Sequence, residues 1–157
     1  MRIPRSWVSD FVDITGISDE VISDAFVRVG FEVEEVIKQG SDLTGPLVVA
    51  RVLAIEELTE HKKPIRYVEL DCAEGQSRFV ICGARNFEVN DLVVAALPGA
   101  VLPGNFAISA RETYGKTSNG MICSAKELGL GDDHSGIIVL SESAATVGQD
   151  AIELLQI

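Results

Sequence analysis

Residues 96–140, ALPGAVLPGNFAISARETYGKTSNGMICSAKELGLGDDHSGIIVL, decide the fold of this chain. Two Pro-Gly pairs, Pro98-Gly99 and Pro103-Gly104, flank a short apolar step. Proline presets φ at one turn position and glycine accepts a positive φ at the next, so each pair predicts a tight corner. A strand-like stretch, a polar loop and a short helical piece at residues 125–130 follow. This order predicts a bent, closed β-structure.

Short runs rich in β-branched residues occur within this stretch and on its N-terminal side, and turn residues separate them. The predicted strands are residues 47–55, 65–70, 78–81, 92–97, 106–110 and 136–140. Strands this short and evenly spaced, with few helices between them, favour a small Greek-key barrel. The sequence therefore predicts a mainly β fold of the oligonucleotide-binding (OB) type with short helices.

The first 38 residues have a different pattern, which predicts a small N-terminal α/β appendage. Residues 18–30 indicate an amphipathic helix that Ser18 caps and Gly30 ends. A shorter predicted helix around Trp7 precedes it, and the apolar faces of the two helices predict core packing. Residues 31–37 predict a strand. The polar stretch 38–45 predicts a boundary. We expect a helical appendage at 1–38, the barrel domain at 39–150, and the start of a return segment at 151–157.

The charge distribution restricts contact with nucleic acid to the middle of the chain. The net charge of the 157 residues is −11. Residues 61–126 carry eight Lys or Arg against six Asp or Glu, a net +2, so the remainder carries −13. Nonspecific affinity for nucleic acid comes from basic groups that release phosphate counterions. The balance therefore excludes a strong nonspecific grip on nucleic acid.

The cysteines and the hydropathy predict the compartment. Cys72, Cys82 and Cys123 are odd in number and widely spaced, so they suggest neither a disulfide framework nor a zinc site. Polar residues interrupt the apolar start of the chain, and we expect no signal peptide. No run approaches the roughly 18 uncharged apolar residues of a membrane-spanning helix. We expect a cytoplasmic protein with no membrane partner.

Two groups of residues raise a catalytic or metal-binding interpretation. Residues 132–135 (DDHS) lie between glycines, where such side chains usually bond their own backbone in a tight turn. Cys123 and His134 could form a nucleophile and a base, but apolar neighbours favour a buried structural thiol. We therefore predict no catalytic residue and no metal ligand.

Polar residues near the ends of predicted strands form the candidate nucleic-acid site. The loop 61–66 (HKKPIR) joins two predicted strands, where an OB barrel grips nucleic acid, although a solvated loop is equally compatible with its charge. The candidate residues are Lys62, Lys63, Arg66, Arg85, Asn86, Lys116 and Ser118. Few aromatic rings are available to stack bases, so we expect no high-affinity, sequence-tolerant binding of single strands.

Several stretches resemble, in the same order, the N-terminal region of the β subunit of bacterial phenylalanine–tRNA ligase (phenylalanyl-tRNA synthetase). The resemblance covers nearly the whole chain. The stretches are GFEVE at 30–34, VICGARN at 80–86, ALPGAVLPG at 96–104, SNGM at 118–121, CS at 123–124, ELGLG at 127–131 and DHSG at 133–136. The resemblance implies a tRNA-binding OB domain, which is the fold that the strand pattern also predicts.

The resemblance further implies a role in an aminoacyl-tRNA synthetase of cytoplasmic translation. The whole enzyme would join phenylalanine to tRNA with ATP and magnesium, as two α and two β subunits. Aminoacylation in this family lies mainly on the α subunit, so this piece alone would be no enzyme and would hold no cofactor. The family also completes its N-terminal appendage with chain beyond the barrel. We therefore expect this sequence to be a fragment.

Two other functions remain open from the sequence. The barrel could be a scaffold for other β domains or for the α subunit, which the charge of −11 favours. A free-standing OB-fold tRNA binder or export chaperone is the second alternative, but the ligase-like first 40 residues oppose it.

Overall fold

The computed structural model describes residues 1–38, 40, 42–60, 64–155 and 157. Two compact units are present, Met1–Lys38 and Gln39–Ile157. The first contains helices α1 (Arg5–Ser9) and α2 (Asp19–Arg28). The second contains the strands and one short helix.

The predicted helix of the first unit is confirmed with both its ends. The Ser18 hydroxyl accepts a hydrogen bond from the Val21 backbone N–H at 3.4 Å, as an N-cap does. Gly30 follows the helix with a φ of +96°, a conformation in which a side chain would be strained. The Arg5 guanidinium fixes the preceding loop, because it donates to the Asp19 carboxylate at 2.6 Å and to the Ile17 carbonyl at 2.5 Å.

Two expectations for this unit are wrong. No residue of α1 or α2 is buried, and Trp7 and Phe11 are 61% and 91% exposed. Helices of 5 and 10 residues are too short to enclose a core between them. Residues 31–37 form no strand, because a strand needs a hydrogen-bonded neighbour and the first unit has none.

The second unit is a strongly bent sheet with two small hairpins. Its strands are β1 (Leu47–Leu58), β2 (Ile65–Asp71), β3 (Arg78–Cys82), β4 (Leu92–Ala96), β5 (Val101–Leu102), β6 (Phe106–Ala107), β7 (Arg111–Thr113), β8 (Lys116–Ser118), β9 (Met121–Ile122) and β10 (Val139–Leu140). The main sheet has the order β10-β4-β1-β2-β3, and β9 also pairs with β4. The predicted strands are confirmed, although those at 106–110 and 136–140 shorten to two residues each.

Strand β1 bends the sheet into a barrel. Its first part pairs with β4, from Leu47 opposite Ala96, and its second part pairs with β2, as far as Leu58 opposite Ile65. A register shift between Val52 and Ala54 marks a β-bulge, which kinks a strand and increases its twist. The edge of β3 meets the end of β8, where the Asn119 N–H donates to the Phe79 carbonyl at 2.7 Å. The barrel is therefore nearly closed, as in an OB fold.

The apolar run of β4 follows from burial on both of its faces. All five of its residues are buried. Val93 and Ala95 join one core cluster with Val68 and other residues of β2 and β3, whereas Val94 and Ala96 join a second cluster. A strand that is covered on both faces loses the usual alternation of apolar and polar residues.

The second cluster also holds the end of the chain. Helix α3 (Ala151–Leu155) begins at the fully buried Ala151, and Ile152 and Leu155 pack against the same cluster. Asp150 forms an isolated antiparallel bridge with Val48 of β1. Residues 150–155 are therefore part of the packed second unit.

The predicted corners are confirmed. Gly99 has a φ of +98°, and the Ala100 N–H donates to the Leu97 carbonyl at 3.0 Å, which closes a turn around Pro98-Gly99. Gly104 has a φ of +77° in the loop that joins β5 to β6. The helix predicted at 125–130 is wrong: these residues form turns, because Gly129 takes a φ of +70° after one helix-like turn.

The described part of the chain is thus mainly β with three short helices, and its second unit is an OB-type barrel. None of the helices in these residues has the length and apolar character needed to cross a membrane.

Candidate nucleic-acid interface

One carboxylate holds two of the predicted cations. Arg66 is the second residue of β2 and lies opposite Glu57 near the end of β1, and its Nε donates to the Glu57 carboxylate at 2.8 Å. The Arg85 guanidinium donates to the other oxygen of the same carboxylate at 2.9 Å. Arg66 also donates to the Phe87 carbonyl at 2.8 Å and lies 5.1 Å from the Phe87 ring centroid. The structure therefore brings Arg66 and Arg85 together around Glu57.

Lys116 is held in the same way by the neighbouring residue of β1. Its Nζ lies 3.0 Å and 3.3 Å from the two carboxylate oxygens of Glu56. The same ammonium lies 4.8 Å from the centroid of the Tyr67 ring, a distance at which a cation is attracted to the ring face. The Tyr67 hydroxyl donates to the Thr117 carbonyl at 3.2 Å, which ties the β7–β8 hairpin to β2.

These cations lie on two faces of the sheet. Adjacent residues of a strand point to opposite faces, so Glu56 and Glu57 diverge. Glu57 lies opposite Arg66, on the face of β2 that Val68 and Leu70 direct into the core. Glu56 lies opposite Tyr67, on the outer face. The charged cluster, which we define as Glu56, Glu57, Arg66, Arg85 and Lys116, therefore surrounds the end of β1 and does not form one flat surface.

The cluster is close to electrical balance. Its three cations and two carboxylates have a net charge of +1. Every described cation of the predicted site has a carboxylate partner. Arg85 and Lys116 are the accessible members, with 52% and 37% of their side chains exposed, whereas Arg66 is 15% exposed. Ion pairs at exposed positions contribute about 0–1 kcal/mol, so a phosphate can replace the carboxylate at small cost.

Asn86 is engaged in the barrel. Its side-chain amide donates to the Ile137 carbonyl at 2.8 Å, and its side-chain oxygen accepts from the Ile137 N–H at 2.9 Å. This pair of bonds imitates the pairing of two backbone strands. A methyl group at Gly136 would collide with the same amide, so the glycine leaves the space that Asn86 fills.

Ser118 is also engaged in the barrel. Its hydroxyl accepts a hydrogen bond from the Ile81 N–H at 2.9 Å and donates to the Gly120 carbonyl at 3.0 Å. The first contact links β8 to the edge of β3, and the second fixes the connection from β8 to β9. The predicted roles of Ser118 and Asn86 in nucleic-acid binding stay predictions, and Lys62 and Lys63 lie outside the described residues.

The sequence did not predict a pair of stacked rings on the outer face. Tyr67 of β2 and Phe79 of β3 have ring centroids 5.3 Å apart and an angle of 21° between their planes. The two residues occupy odd positions on neighbouring strands, as Ile81 does, and the register places Tyr67 opposite Ile81. Alternation along each strand could have shown that Tyr67 and Phe79 share a face of the sheet. Their stacking also depends on the register between β2 and β3, which composition does not reveal.

The turn at 132–135 is confirmed as a structural feature. The Asp133 carboxylate accepts hydrogen bonds from the Ser135 N–H at 2.9 Å and from the Ser135 hydroxyl at 2.8 Å. Both hydrogen bonds lower the pKa of Asp133, and the bond from the Ser135 backbone N–H has the larger effect. The His134 ring contacts the Asp132 carbonyl at 3.3 Å. The side chains of Asp133, His134 and Ser135 therefore make contacts within their own loop.

Cys123 is a buried thiol with a raised pKa. The residue is fully buried in the second core cluster, and burial raises the pKa of its thiol to about 12. A reactive cysteine needs a lowered pKa and some exposure, since the thiolate is the nucleophile. His134 is exposed in its own turn. The predicted buried thiol at Cys123 is confirmed, and the absence of a catalytic residue stays a prediction.

Comparisons with known proteins identify the family. The family model described as "Putative tRNA binding domain" matches residues 47–150. Phenylalanine–tRNA ligase beta subunit of Thermobifida fusca is 53% identical over 160 residues, which cover 99% of this chain and 19% of that protein. The subunit of the same name from Streptomyces avermitilis is 52% identical, and the match covers 100% of this chain and 19% of that protein.

One solved structure shows a weaker likeness. The CsaA chaperone protein from Picrophilus torridus aligns with a TM-score of 0.48 at 10% sequence identity, which covers 66% of this chain and 88% of that one.

The sequence motifs, the barrel topology and the family match agree. The chain spans 19% of the length of the ligase subunits that it matches. It belongs to the tRNA-binding domain family, in the form that makes up the N-terminal region of bacterial phenylalanine–tRNA ligase β subunits.

Proposed function

We propose that this chain is the tRNA-contacting module of a phenylalanine–tRNA ligase, in which it serves cytoplasmic protein synthesis. The observation that carries the proposal is the charged cluster at the end of β1, inside the region that matches the tRNA-binding family. Phosphate contacts position a nucleic acid without reading its sequence. Arg85 and Lys116 would meet phosphates, and Arg66 would support them.

The low net charge of the cluster implies weak contact. A phosphate must displace Glu57 from Arg85 or Glu56 from Lys116, and each exchange leaves a carboxylate close to the bound anion. Lys62 and Lys63 belong by sequence to the connection between β1 and β2, and the proposal includes them as further phosphate partners. We expect the module to orient tRNA within a larger enzyme, whose other parts supply most of the affinity.

The remaining parts of the proposal follow from the resemblance to the ligase family. The whole enzyme would attach phenylalanine to tRNA with ATP and magnesium, together with an α subunit in a tetramer of two α and two β subunits. This piece itself would hold neither cofactor. Residues 1–38 would form a separate small domain with chain that follows the barrel in the relatives, and residues 151–157 would begin that return. The exposed Trp7 and Phe11 support a further partner for this unit.

Binding of tRNA to the 157-residue chain across a salt series, by fluorescence anisotropy, tests the proposal. A salt-dependent affinity in the micromolar range would support phosphate contact, because each neutralised phosphate adds about 0.9 to the negative slope of log K against log salt for duplex regions. The second candidate function is a scaffold within the same enzyme, which the ion pairing of the cations favours. An absence of binding at low salt would favour the scaffold.

A further inference from the structure

Strand β7 carries an exposed arginine whose charge is not compensated by a carboxylate. Arg111 forms no ion pair and donates no hydrogen bond to any residue that the structure describes. Among the described cations of the second unit, only Lys126 also lacks a carboxylate partner. The paired cations are Arg51, Arg66, Arg78, Arg85 and Lys116. The donors of the Arg111 guanidinium are therefore available to an anion from outside the chain.

An exposed aromatic ring lies beside this cation. The Arg111 guanidinium carbon is 5.4 Å from the centroid of the Phe106 ring, a distance at which a cation is attracted to the ring face. Phe106 is 44% exposed. A guanidinium that lies over a ring keeps the N–H donors at its edge available, and these donors can bind both oxygens of one carboxylate. The two side chains therefore present an apolar surface next to a cation.

Two anchored hairpins carry the two side chains. In the β5–β6 hairpin, Phe106 lies opposite Leu102, which is 2% exposed in the second core cluster. In the β7–β8 hairpin, Arg111 lies opposite Ser118, whose hydroxyl accepts a hydrogen bond from the Ile81 N–H at 2.9 Å. Because the backbone is already held at both positions, the binding of a partner would cost little conformational entropy.

The surroundings of Phe106 favour a protein partner over a polyanion. A Cβ atom at Gly129 would lie 3.3 Å from the side chain of Pro103, so the loop of the β5–β6 hairpin contacts the acidic end of the chain. Residues 127–157 carry six Asp or Glu and no Lys or Arg. This charge repels a series of phosphates, whereas a single carboxylate can still reach Arg111. Arginine and aromatic residues are also enriched in protein interfaces.

We propose that Phe106 and Arg111 form the centre of a protein-binding surface. Its partner is a protein segment that places an Asp or Glu carboxylate on Arg111 and an apolar side chain on Phe106. Neither residue belongs to the charged cluster, so the module can contact a protein and tRNA with different residues. The proposed function enters only in the choice of the partner: the segment belongs to the α subunit of the ligase or to another part of its β subunit.

Modification of arginines by phenylglyoxal, measured by mass spectrometry, tests the proposal on unaltered protein. The experiment compares the 157-residue chain, the assembled ligase without tRNA, and the assembled ligase with tRNA. Arg111 is predicted to react about 5-fold more slowly, or slower still, in the assembled ligase than in the isolated chain, which is the size of effect that a binding hot spot gives. Arg85, which is 52% exposed, is the matched control, and we predict that only tRNA protects it.

Each outcome of this comparison has one meaning. Equal reaction rates of Arg111 in the isolated chain and in the assembled ligase would overturn the proposal. Protection of Arg111 only after the addition of tRNA would identify a phosphate site and would also overturn it. The proposed function fails separately, because a failure of tRNA to protect Arg85 contradicts phosphate contact at the charged cluster whatever the result for Arg111.

Photo-crosslinking tests the chemistry of the partner. A photoreactive benzoylphenylalanine in place of Phe106 is predicted to crosslink, in the assembled ligase, to a segment that contains Asp or Glu. Arg111→Glu is predicted to lower the crosslink yield, because two carboxylates repel each other, whereas Arg111→Lys keeps the charge and retains most of the yield. A crosslinked segment without Asp or Glu, or a yield that Arg111→Glu leaves unchanged, would overturn the carboxylate contact.

Discussion

The Arg66 guanidinium donates to the Glu57 carboxylate at 2.8 Å across the β1–β2 pair, directly beside the region proposed to meet tRNA. Glu57 also accepts from Arg85 at 2.9 Å, so one carboxylate neutralises two of the cations that the sequence assigned to nucleic-acid binding. A carboxylate at this position competes with phosphate for the same donors. Glu57 therefore sets how strongly this end of the barrel attracts a polyanion.

Glu57→Gln is predicted to strengthen tRNA binding several-fold. The amide keeps one acceptor for Arg66 but removes the negative charge, so Arg85 becomes available to a phosphate. One additional phosphate contact would increase the salt slope by about 0.9. Anisotropy titrations at several salt concentrations measure both quantities.

Glu142→Gln is the matched control for Glu57→Gln. Glu142 is 72% exposed and pairs with Arg51, so its substitution removes the same charge from another ion pair. Equal gains in both variants would mean that net charge alone, and not the release of Arg85, controls the affinity.

Asn86→Ala is predicted to lower the free energy of unfolding by about 2–4 kcal/mol, because the buried Ile137 would lose both backbone partners. Urea unfolding measures the loss, and substitution of the exposed Gln76 by Ala serves as the control. A loss of tRNA affinity at unchanged stability would instead assign Asn86 to binding, the role that its sequence position predicts.

Gly136→Ala is predicted to be non-additive with Asn86→Ala. A methyl group at Gly136 collides with the Asn86 amide, so the substitution destabilises the wild-type chain but costs little once the amide is absent. A double-mutant cycle from urea unfolding measures this coupling. Additive losses would show that the glycine serves another purpose.

Ser124→Ala is predicted to cost about 1 kcal/mol of stability. Ser124 and Glu127 form a reciprocal cap: the Ser124 N–H and hydroxyl donate to the Glu127 carboxylate at 2.6 Å and 2.7 Å, and the Glu127 N–H donates back to the hydroxyl at 3.3 Å. Thermal unfolding compares this variant with Ser77→Ala, which changes an exposed serine. Equal melting temperatures would contradict the capping role.

The cysteines are predicted to resist alkylation at pH 8 while the chain is folded. Burial raises the pKa of Cys72 to about 11 and that of Cys123 to about 12, from an ordinary value of 9.0. Their burial therefore favours the folded state fully below pH 9, and this contribution is lost as the pH rises towards 11–12, because the unfolded thiols ionise first. Mass spectrometry after iodoacetamide treatment, with and without urea, measures the protection. Rapid labelling without urea would contradict it.

Local sequence signals predicted much of the fold. Pro98-Gly99 encodes its corner through φ preferences, and Ser18 caps its helix with its own hydroxyl, so neither feature depends on distant chain. The strand predicted at 31–37 failed because strands need partners, and the helix predicted at 125–130 failed because Gly129 adopts a positive φ. Propensity describes only what a segment can form alone.

The candidate site was predictable in part. Arg66, Arg85 and Lys116 were found from residue type and loop position, but their partners were not. The contact between Lys116 and Glu56 spans 60 positions, and the Tyr67–Phe79 stack requires the register of β2 and β3. Asn86 resembled a binding residue because a polar side chain at a strand end has the same sequence signature in either role.

The salt dependence of tRNA binding by Arg85→Gln, Lys116→Gln and the double variant tests the central claim most directly. Arg28→Gln, an exposed cation outside the matched residues 47–150, is the control. We predict that each single variant weakens binding and reduces the magnitude of the slope of log K against log salt by about 0.9, and that the double variant loses about twice as much. Slopes and affinities equal to those of wild type in the double variant would contradict phosphate contact by the charged cluster.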